Sequence, residues 1–297
     1  MEINRANLRN LFTGYNTVFQ QAFDGAPSDW QRVAMTVPST TSQEVYPWLG
    51  QTTRFREWIG DRVIQNLTSH DFTIKNKPFE NTIGVDREAI EDDSYGIYKP
   101  VFAQLGLDAA QHPNELVFSL LAQGMSSLCY DGQYFFDTDH PVVKSDGTIG
   151  SVSNVQAGTG PTWYLLDMTR IVRPVIMQQR KGYNFVAMDA ETDEAVFSSK
   201  QFRYGVDARC NVGFGLWQLA YASKADLTED SYEAARAAMT SLVGDNGRPL
   251  GIRPSLLVVP PSLEGTGRKL LQADANPYGA TNVWKSSAEL LTTSWIS

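Results

Sequence analysis

Apolar residues near the N-terminus recur at spacings of three and four. They are Leu8, Leu11, Phe12, Tyr15, Phe19, Ala22 and Phe23. This spacing places all of them on one face of an α-helix. Such a helix is stable only when its apolar face is covered, so we predict a projecting arm helix that neighbouring copies of the chain would cover. Pro38 and Pro47 oppose regular helix in the stretch that follows, where we expect an extended strap.

Apolar and polar residues then alternate over residues 61–85, a pattern typical of strands. The apolar positions are Val63, Leu67, Phe72, Ile74, Ile83 and Val85. We predict one long hairpin here, with its turn at residues 68–71. The next segment, 88–124, opens with acidic residues and continues with helical apolar spacing, which predicts a long helix. Pro100 and Pro113 should kink this helix or split it into pieces laid end to end.

The second half of the chain mixes strand and helix patterns. Residues 163–215 contain short segments rich in Val, Ile, Phe and Tyr, which predict short strands bounded by turns at 180–184 and 189–195. Residues 228–244 predict a helix, and residues 289–296 predict a last strand. Because no internal repeat, low-complexity tract or linker interrupts these elements, we expect an α+β layout with an arm, a hairpin and a body.

Composition then excludes several classes of protein. The chain has 297 residues, 42% of them hydrophobic, which is enough for a real core. Its net charge of −8 is opposite to the positive footprint of a sequence-specific DNA-binding protein. Two cysteines are too few for a disulfide framework, as expected in a reducing cytoplasm. No segment has the pattern of a signal peptide or the length of a membrane span, so we expect a soluble, untargeted chain without a membrane partner.

The stretch CYDGQYFFDTDHPV, residues 129–142, carries the strongest candidate chemistry. Asp137, Asp139 and His140 supply the oxygen and nitrogen donors of a metal-dependent hydrolase, and Cys129 with His140 would be a nucleophile and its base. The alternative is that the aspartate and histidine side chains hydrogen-bond a corner of the fold. We favour this alternative, because no second cluster of histidine or cysteine completes a metal site.

Other motifs lack a required residue. Gln218 stands where a dinucleotide-binding fingerprint needs Gly or Ala, and Leu270 stands where a phosphate loop needs Ser or Thr. We therefore expect no cofactor and no metal. The basic residues at 170, 173, 180 and 181 favour a mixed-charge surface or a subunit contact over phosphate binding.

Six stretches, in the same order along the chain, resemble the major head subunit family of Mu-like phages and prophages. They are YPWLG, REWIGDR, NKPFENTIGVDREAIEDDSYGIY, CYDGQYFFDTDHPV, YGVDARCNVGFGLWQLAY and PSLLVVPPSLE. The resemblance implies the α+β capsid fold of the Hong Kong ninety-seven type. It implies four parts: an N-terminal arm (1–50), an extended loop hairpin (51–88), a spine helix with a peripheral domain (89–215), and an axial domain with a C-terminal return strand (216–297).

The resemblance implies a structural protein and not an enzyme. Copies of the chain would assemble as hexamers and pentamers into an icosahedral shell that encloses double-stranded DNA without sequence-specific binding. The implied partners are a separate scaffolding protein, a portal and, as an option, a decoration protein. The product would be a virion assembled in the bacterial host cytoplasm. An encapsulin-like compartment is the alternative within the same fold class, and a metal-dependent hydrolase is the weaker alternative.

The resemblance also assigns roles to individual residues. Asp131 and Gly132 would shape a turn, and Asp139, His140 and Pro141 would fix the corner. Contacts of the arm and the loop would come from Leu8, Phe12, Phe19, Trp48, Phe72 and Phe79. We predict no covalent crosslinking through the lysines of the loop, since no partner asparagine is identifiable.

Overall fold

A computed structural model describes residues 5–49, 72–92, 96–144, 146–190, 192–244, 247–275 and 279–296. The helices in these ranges are α1 (Arg5–Gly25), α2 (Arg87–Asp92), α3 (Lys99–Ala122), α4 (Glu194–Ser199), α5 (Glu229–Thr240) and α6 (Glu264–Gln272). The first strands are β1 (Ala34–Pro38), β2 (Gln43–Val45), β3 (Thr73–Lys75), β4 (Lys77–Asp86), β5 (His140–Val143), β6 (Ile149–Val152), β7 (Val155–Gln156) and β8 (Trp163–Leu166). They are followed by β9 (Val175–Met188), β10 (Gln201–Phe214), β11 (Ala220–Ser223), β12 (Val243–Gly244), β13 (Arg248–Pro249), β14 (Leu256–Val259) and β15 (Glu289–Thr292).

The first of two larger sheets has the strand order β1-β9-β10-β4. β9 and β10 pair antiparallel, β1 runs parallel to β9, and β4 runs antiparallel to β10. Alternate residues of β10 are buried, among them Phe202, Tyr204 and Val206, because α1 and α3 cover that face of the sheet. One long helix, one arm helix and one sheet therefore share a single apolar cluster.

The arm helix α1 finds its partner within its own chain. Tyr15 stacks on Phe102 of α3 at a centroid distance of 4.0 Å, and Phe19 stacks on Phe185 of β9 at 5.2 Å. Both arm residues are buried. The prediction that neighbouring copies cover this apolar face is therefore wrong, because α3 and the sheet already do so.

The predicted long helix is divided in front of Pro100 and continuous through Pro113. The short α2 precedes it, and Pro100 lies in the first turn of α3, where a missing N–H costs nothing. Pro113 lies inside α3 and does not split it. An internal proline costs about 3 kcal/mol, and burial of each large apolar side chain along α3 stabilises by roughly 1.5–3 kcal/mol, so packing outweighs the proline.

The predicted hairpin of residues 61–85 is tested only in its second half, because residues 50–71, including the turn at 68–71, lie outside the described residues. In the described half, β4 pairs with β10 over ten positions, from Gln201↔Asp86 to Cys210↔Lys77. β3 pairs instead with β2 of the strap. β3 and β4 are therefore held by two different partners.

The strands of residues 163–215 are longer than predicted. β9 and β10 span fourteen residues each, and residues 180–184, predicted as a turn, continue β9 with an irregular register opposite Asp207 to Cys210. Turn-favouring residues such as Gly182 are overridden here because pairing with β10 supplies backbone hydrogen bonds along the whole strand.

The second sheet has the order β15-β14-β8-β11-β7 and lies in the largest core cluster. The strands β8, β11 and β14 have four residues each, and every one of these residues is buried, as expected for central strands covered on both faces. α5 packs beside β11, and Thr228 caps it by accepting a hydrogen bond from the Ser231 N–H at 3.2 Å. Among the described residues, no helix has the length and apolar character needed to cross a membrane.

Candidate functional site

The stretch that follows α3 forms a tight turn. The Gly132 N–H donates to the Cys129 carbonyl at 3.2 Å, and the Cys129 N–H donates to the Gln133 carbonyl at 2.8 Å. Gly132 has φ +86°, a left-handed conformation that strains any residue with a Cβ. The chain leaves the helix through this turn and returns to the core at Phe135, which stacks on Phe214 at 4.0 Å.

Asp131 is the centre of a buried hydrogen-bond network in this turn. Its Oδ2 lies 2.7 Å from His140 Nδ1. Its Oδ1 accepts hydrogen bonds from the Cys129 thiol at 3.0 Å and from the Gln133 N–H at 3.1 Å. Burial by itself would raise the pKa of Asp131, but these three donors outweigh it and hold the pKa below its usual value.

His140 and Cys129 are both buried at this network. The His140 ring lies flat on Trp217, with centroids 3.9 Å apart and an angle of 9° between the planes. Burial, followed by the hydrogen bond to Asp131, raises the pKa of the Cys129 thiol far above its ordinary value. The thiol therefore stays protonated, and Asp131 stands between it and His140, so the pair is not arranged as a nucleophile and its base.

The two aspartates proposed for the hydrolase lie side by side, but the cluster of ligand atoms that contains His140 includes neither of them. His140 faces Asp131, whereas Asp137 accepts hydrogen bonds from the backbone N–H of Thr138 at 2.7 Å and of Tyr134 at 3.3 Å. Asp139 is exposed, and a hydrogen bond to Asp137 raises its pKa. Asp137 and Asp139 therefore shape the surface of the corner.

A different trio, Cys129, Asp131 and His140, has its ligand atoms within 4.8 Å of one another. These are donor types that zinc accepts. Both oxygens of Asp131, however, already accept hydrogen bonds from the other two side chains. The trio holds the turn, β5 and Trp217 together, and the Nε2 of His140 is buried without a hydrogen-bond partner among the described residues.

Residues of the strap make a second network that the sequence did not reveal. The Glu44 carboxylate accepts hydrogen bonds from the Ser39 hydroxyl at 2.8 Å and from the backbone N–H groups of Thr40 at 2.9 Å and Thr41 at 3.1 Å. These donors lower the pKa of Glu44 to about 2. The Tyr46 hydroxyl donates to Gln178 of β9 at 2.7 Å, which fastens the strap to the first sheet.

The predicted contact residues differ in exposure. Leu8 and Phe19 are buried inside the chain, and Phe12 stacks on Phe185 at 5.5 Å. Phe79 lies edge-on to His112 at 4.3 Å, Phe72 is half-buried, and Trp48 is 37% exposed. Three of the four basic residues at 170–181 also bond within the chain. Arg170 bonds Asp167, Arg173 bonds the Gln31 carbonyl, and Lys181 bonds Asp207.

The family model of the Mu-like prophage major head subunit gpT matches residues 8–296. The chain belongs to this family. Two curated relatives are similar along nearly their whole length. One is the Mu-like prophage FluMu major head subunit of Haemophilus influenzae, which is 44% identical over 274 residues, or 90% of this chain and 89% of the relative. The other is the major capsid protein of Escherichia phage Mu, which is 40% identical over 289 residues, or 95% of each chain.

Solved phage shells have the same fold. The procapsid of bacteriophage JBD30 is similar with a TM-score of 0.88 and 45% identity, covering 99% of this chain and 100% of that one. The JBD30 capsid is similar with a TM-score of 0.80 and 32% identity over the whole of both chains. The expected α+β capsid fold of the Hong Kong ninety-seven type is thereby confirmed, as is the resemblance to the Mu-like major head subunits.

Membership of this family decides the class of function. This chain, as a member of the family, is a major capsid protein. Such a protein is a structural component of a phage virion, and its copies associate into a shell. The buried corner at Asp131 and His140 then belongs to the architecture of that subunit, because the hydrogen bonds of Asp131 to Cys129 and His140 join the turn to β5.

Proposed function

We propose that this chain assembles as hexamers and pentamers into a closed icosahedral shell that encloses double-stranded DNA without reading its sequence. The observation that carries the proposal is the family match over residues 8–296, together with a TM-score of 0.88 to a procapsid subunit. Contacts around a ring of identical subunits are heterologous, so each copy must present two different surfaces to its neighbours.

We assign the four parts of the subunit as the resemblance implied them. The arm (1–50), the extended loop (51–88), the spine helix with the peripheral domain (89–215) and the axial domain (216–297) are the proposed units. What supports an arm fastened to a spine helix is the apolar cluster that α1, α3 and the first sheet share. Trp48, Phe72 and Phe79 would supply contacts between copies, because each keeps part of its ring accessible.

We propose that scaffolding comes from a separate protein. What supports an assembly intermediate is the solved JBD30 procapsid, to which this chain is similar with a TM-score of 0.88. A portal is a further proposed partner. A decoration protein is another, since a solved JBD30 capsid is decorated with minor capsid protein trimers. Assembly would take place in the cytoplasm of the bacterial host.

We propose that the chain is not an enzyme. The protonated Cys129 thiol and the hydrogen bonds of Asp131 to Cys129 and His140 support this proposal. Asp137, which the hydrolase alternative needs as a ligand, accepts hydrogen bonds from backbone N–H groups of the corner.

The test is assembly of the full chain, followed by light scattering on a sizing column and by electron microscopy of the eluted peak. We expect rings of five or six subunits, tubes or closed shells, either with the chain alone or after the scaffolding protein is added. A species that stays monomeric in both cases would contradict the proposal. Shells purified from infected cells would favour the encapsulin-like alternative if they enclosed a protein cargo instead of DNA.

A further inference from the structure

Three side chains with different ligand atoms converge at the buried corner after α3. The Sγ of Cys129, a carboxylate oxygen of Asp131 and a ring nitrogen of His140 all lie within 4.8 Å of one another. His140 and Cys129 are 0% and 5% exposed, and the Asp131 side chain is 8% exposed. Thiolate, carboxylate and imidazole are the ligands that zinc takes from proteins. The sequence did not indicate this set, because it assigned Asp131 to the turn alone and grouped His140 with Asp137 and Asp139.

The distances between these ligand atoms suit an ion after small movements. Sγ of Cys129 lies 3.0 Å from Oδ1 of Asp131, and Nδ1 of His140 lies 2.7 Å from Oδ2. Metal bonds of about 2.0–2.3 Å in a tetrahedron place two ligand atoms roughly 3.3–3.6 Å apart. Each pair would therefore open by roughly 0.5–0.7 Å when an ion takes the place of the shared protons. Side-chain torsions absorb a change of this size.

The backbone already holds the three ligands near one another. The turn at Gly132, which has φ +86°, brings Cys129 and Asp131 into contact. The Gln133 N–H donates to Oδ1 of Asp131 at 3.1 Å, and a hydrogen bond of this kind fixes the orientation of a ligating carboxylate. His140 is the first residue of β5. Ligands supplied by a tight turn and a strand lose little conformational entropy when an ion binds.

The His140 ring is able to follow these movements. It lies flat on Trp217, and its Nε2 is buried without a hydrogen-bond partner among the described residues. The ring can therefore slide across Trp217 and move Nδ1 towards an ion without breaking a hydrogen bond at Nε2. A buried polar atom without a partner also marks a place where the protein's own groups do not complete the bonding, as expected next to a missing water or ion.

Charge favours a divalent cation at this corner. Among the described residues, the only ion-pair partner of Asp131 is His140. The Asp131 carboxylate and a Cys129 thiolate together balance the two positive charges of a zinc ion, so the filled site is neutral and avoids the free energy that a buried net charge costs. The thiol, which is protonated without an ion, loses its proton because coordination to a metal deprotonates it. The buried thiolate is then a ligand and not a free nucleophile.

We propose that Cys129, Asp131 and His140 bind one zinc ion, which fastens the turn after α3 to β5. Bonds form to the ion from Sγ, from one carboxylate oxygen and from Nδ1; the thiol proton leaves to solvent, and the ring proton resides on Nε2. The Tyr134 carbonyl oxygen, 4.0 Å from Sγ, is placed to be the fourth ligand. The sulfur ligand favours zinc over magnesium and calcium, which take oxygen ligands. The inference goes beyond the shell function and does not depend on it.

Metal analysis of the purified, untagged full chain is the first test. After growth with added zinc and dialysis against metal-free buffer, mass spectrometry of the metal content should find about one zinc ion per chain, and Cys129→Ser should lower this content about tenfold or more. Cys210→Ser is the matched control, because Cys210 is the other buried cysteine, and it should keep the ion. Circular dichroism verifies folding. An original chain without zinc, or a folded Cys129→Ser variant with as much zinc, overturns the proposal.

Cobalt spectroscopy decides the question even where Cys129→Ser does not fold. Co²⁺ occupies tetrahedral zinc sites, and a thiolate ligand adds an intense thiolate-to-cobalt absorption band in the near ultraviolet. Cys210→Ser leaves Cys129 as the only cysteine of the chain, so a band in this variant identifies Cys129 as the ligand. We expect bands of equal intensity in the original chain and in Cys210→Ser. Absence of the band from either protein overturns the proposal.

Removal of the ion tests whether it fastens the corner. A chelator should lower the melting temperature of the zinc-loaded original chain by several degrees, because an ion that binds only the folded state stabilises it. Asp131→Asn keeps the size of the side chain and loses its charge, so its melting temperature should be the same with and without the chelator. An original chain whose melting temperature the chelator leaves unchanged overturns the role of zinc at this turn, as does an equal loss in both proteins.

Discussion

Single residues in this protein are informative mainly through the partners that the fold brings to them. The residue types at positions 129–142 left both a hydrolase and a structural corner open, with the corner favoured. The distinction came from Asp131, which the sequence marked only as a turn residue and which accepts hydrogen bonds from both Cys129 and His140. Nothing in the spacing of these residues identifies that pairing, because it depends on how the chain returns from β5 to the turn.

Replacing His140 tests the corner. We expect His140→Ala to lower the free energy of unfolding by about 3–5 kcal/mol, because it leaves a cavity against Trp217 and removes one hydrogen-bond partner of a buried carboxylate. Chemical denaturation measured by tryptophan fluorescence checks this. Asp139→Asn is the control and should leave the transition unchanged, since Asp139 is exposed. A metal-dependent hydrolase would give the reverse result, with both variants folded normally and both inactive.

Glu44 predicts a specific dependence on pH. Its pKa falls from 4.5 to about 2 on folding, so the carboxylate stabilises the strap fully above pH 4.5, and this contribution disappears as the pH falls towards 2. Glu44→Gln should therefore reduce the loss of stability between these two pH values, as followed by thermal melting at several pH values. Glu233→Gln, on the exposed face of α5, is the control and should melt with the same pH profile as the original chain.

At the scale of elements, the helices were easier to predict than the strand pairings. The face of α1 followed from its own spacing of apolar residues. What covers that face did not, because the closeness of α1 and α3 depends on Gly106. A Cβ added to Gly106 would lie 2.3 Å from the Phe19 carbonyl oxygen of α1. The absence of a side chain at this one position is what lets the two helices touch.

Gly106 and Gly14 form a matched pair of test sites, since both lie inside helices. We expect Gly106→Ala to destabilise the protein by about 1–3 kcal/mol, because the backbone of α1 must move away from α3. Gly14→Ala should stabilise it by about 0.5–1 kcal/mol, because a Cβ there meets nothing within 4 Å and alanine favours helix. Denaturant melts of the two variants provide the comparison, and equal shifts of the same sign would contradict a close crossing of α1 and α3.

At the scale of the whole molecule, the net charge of the chain predicts how copies repel one another. Glu194→Arg changes the net charge from −8 to −6, which eases repulsion between copies and promotes association. Glu233→Arg, at an exposed position of α5, changes the net charge by the same amount.

We therefore expect light scattering to report equal or greater assembly for both variants than for the original chain. The gain should shrink at high salt, because the repulsion between exposed charges is screened over a Debye length of about 10 Å at 0.1 M. Less assembly for one variant alone would contradict a role for net charge only.

The sequence by itself determined the family, the α+β class, the arm helix, the long helix and the turn at Gly132, because these depend on local spacing, on residue types with special backbone freedom and on long shared motifs. Only the tertiary structure decided that α1 is covered by its own chain, that α3 continues through Pro113, that β9 and β10 are long, and that Asp131 joins Cys129 to His140. Each of these features rests on contacts between segments distant along the chain. The free energy of such contacts exceeds the local conformational preferences of the residues involved. These contacts leave no periodic pattern of apolar and polar residues in the sequence.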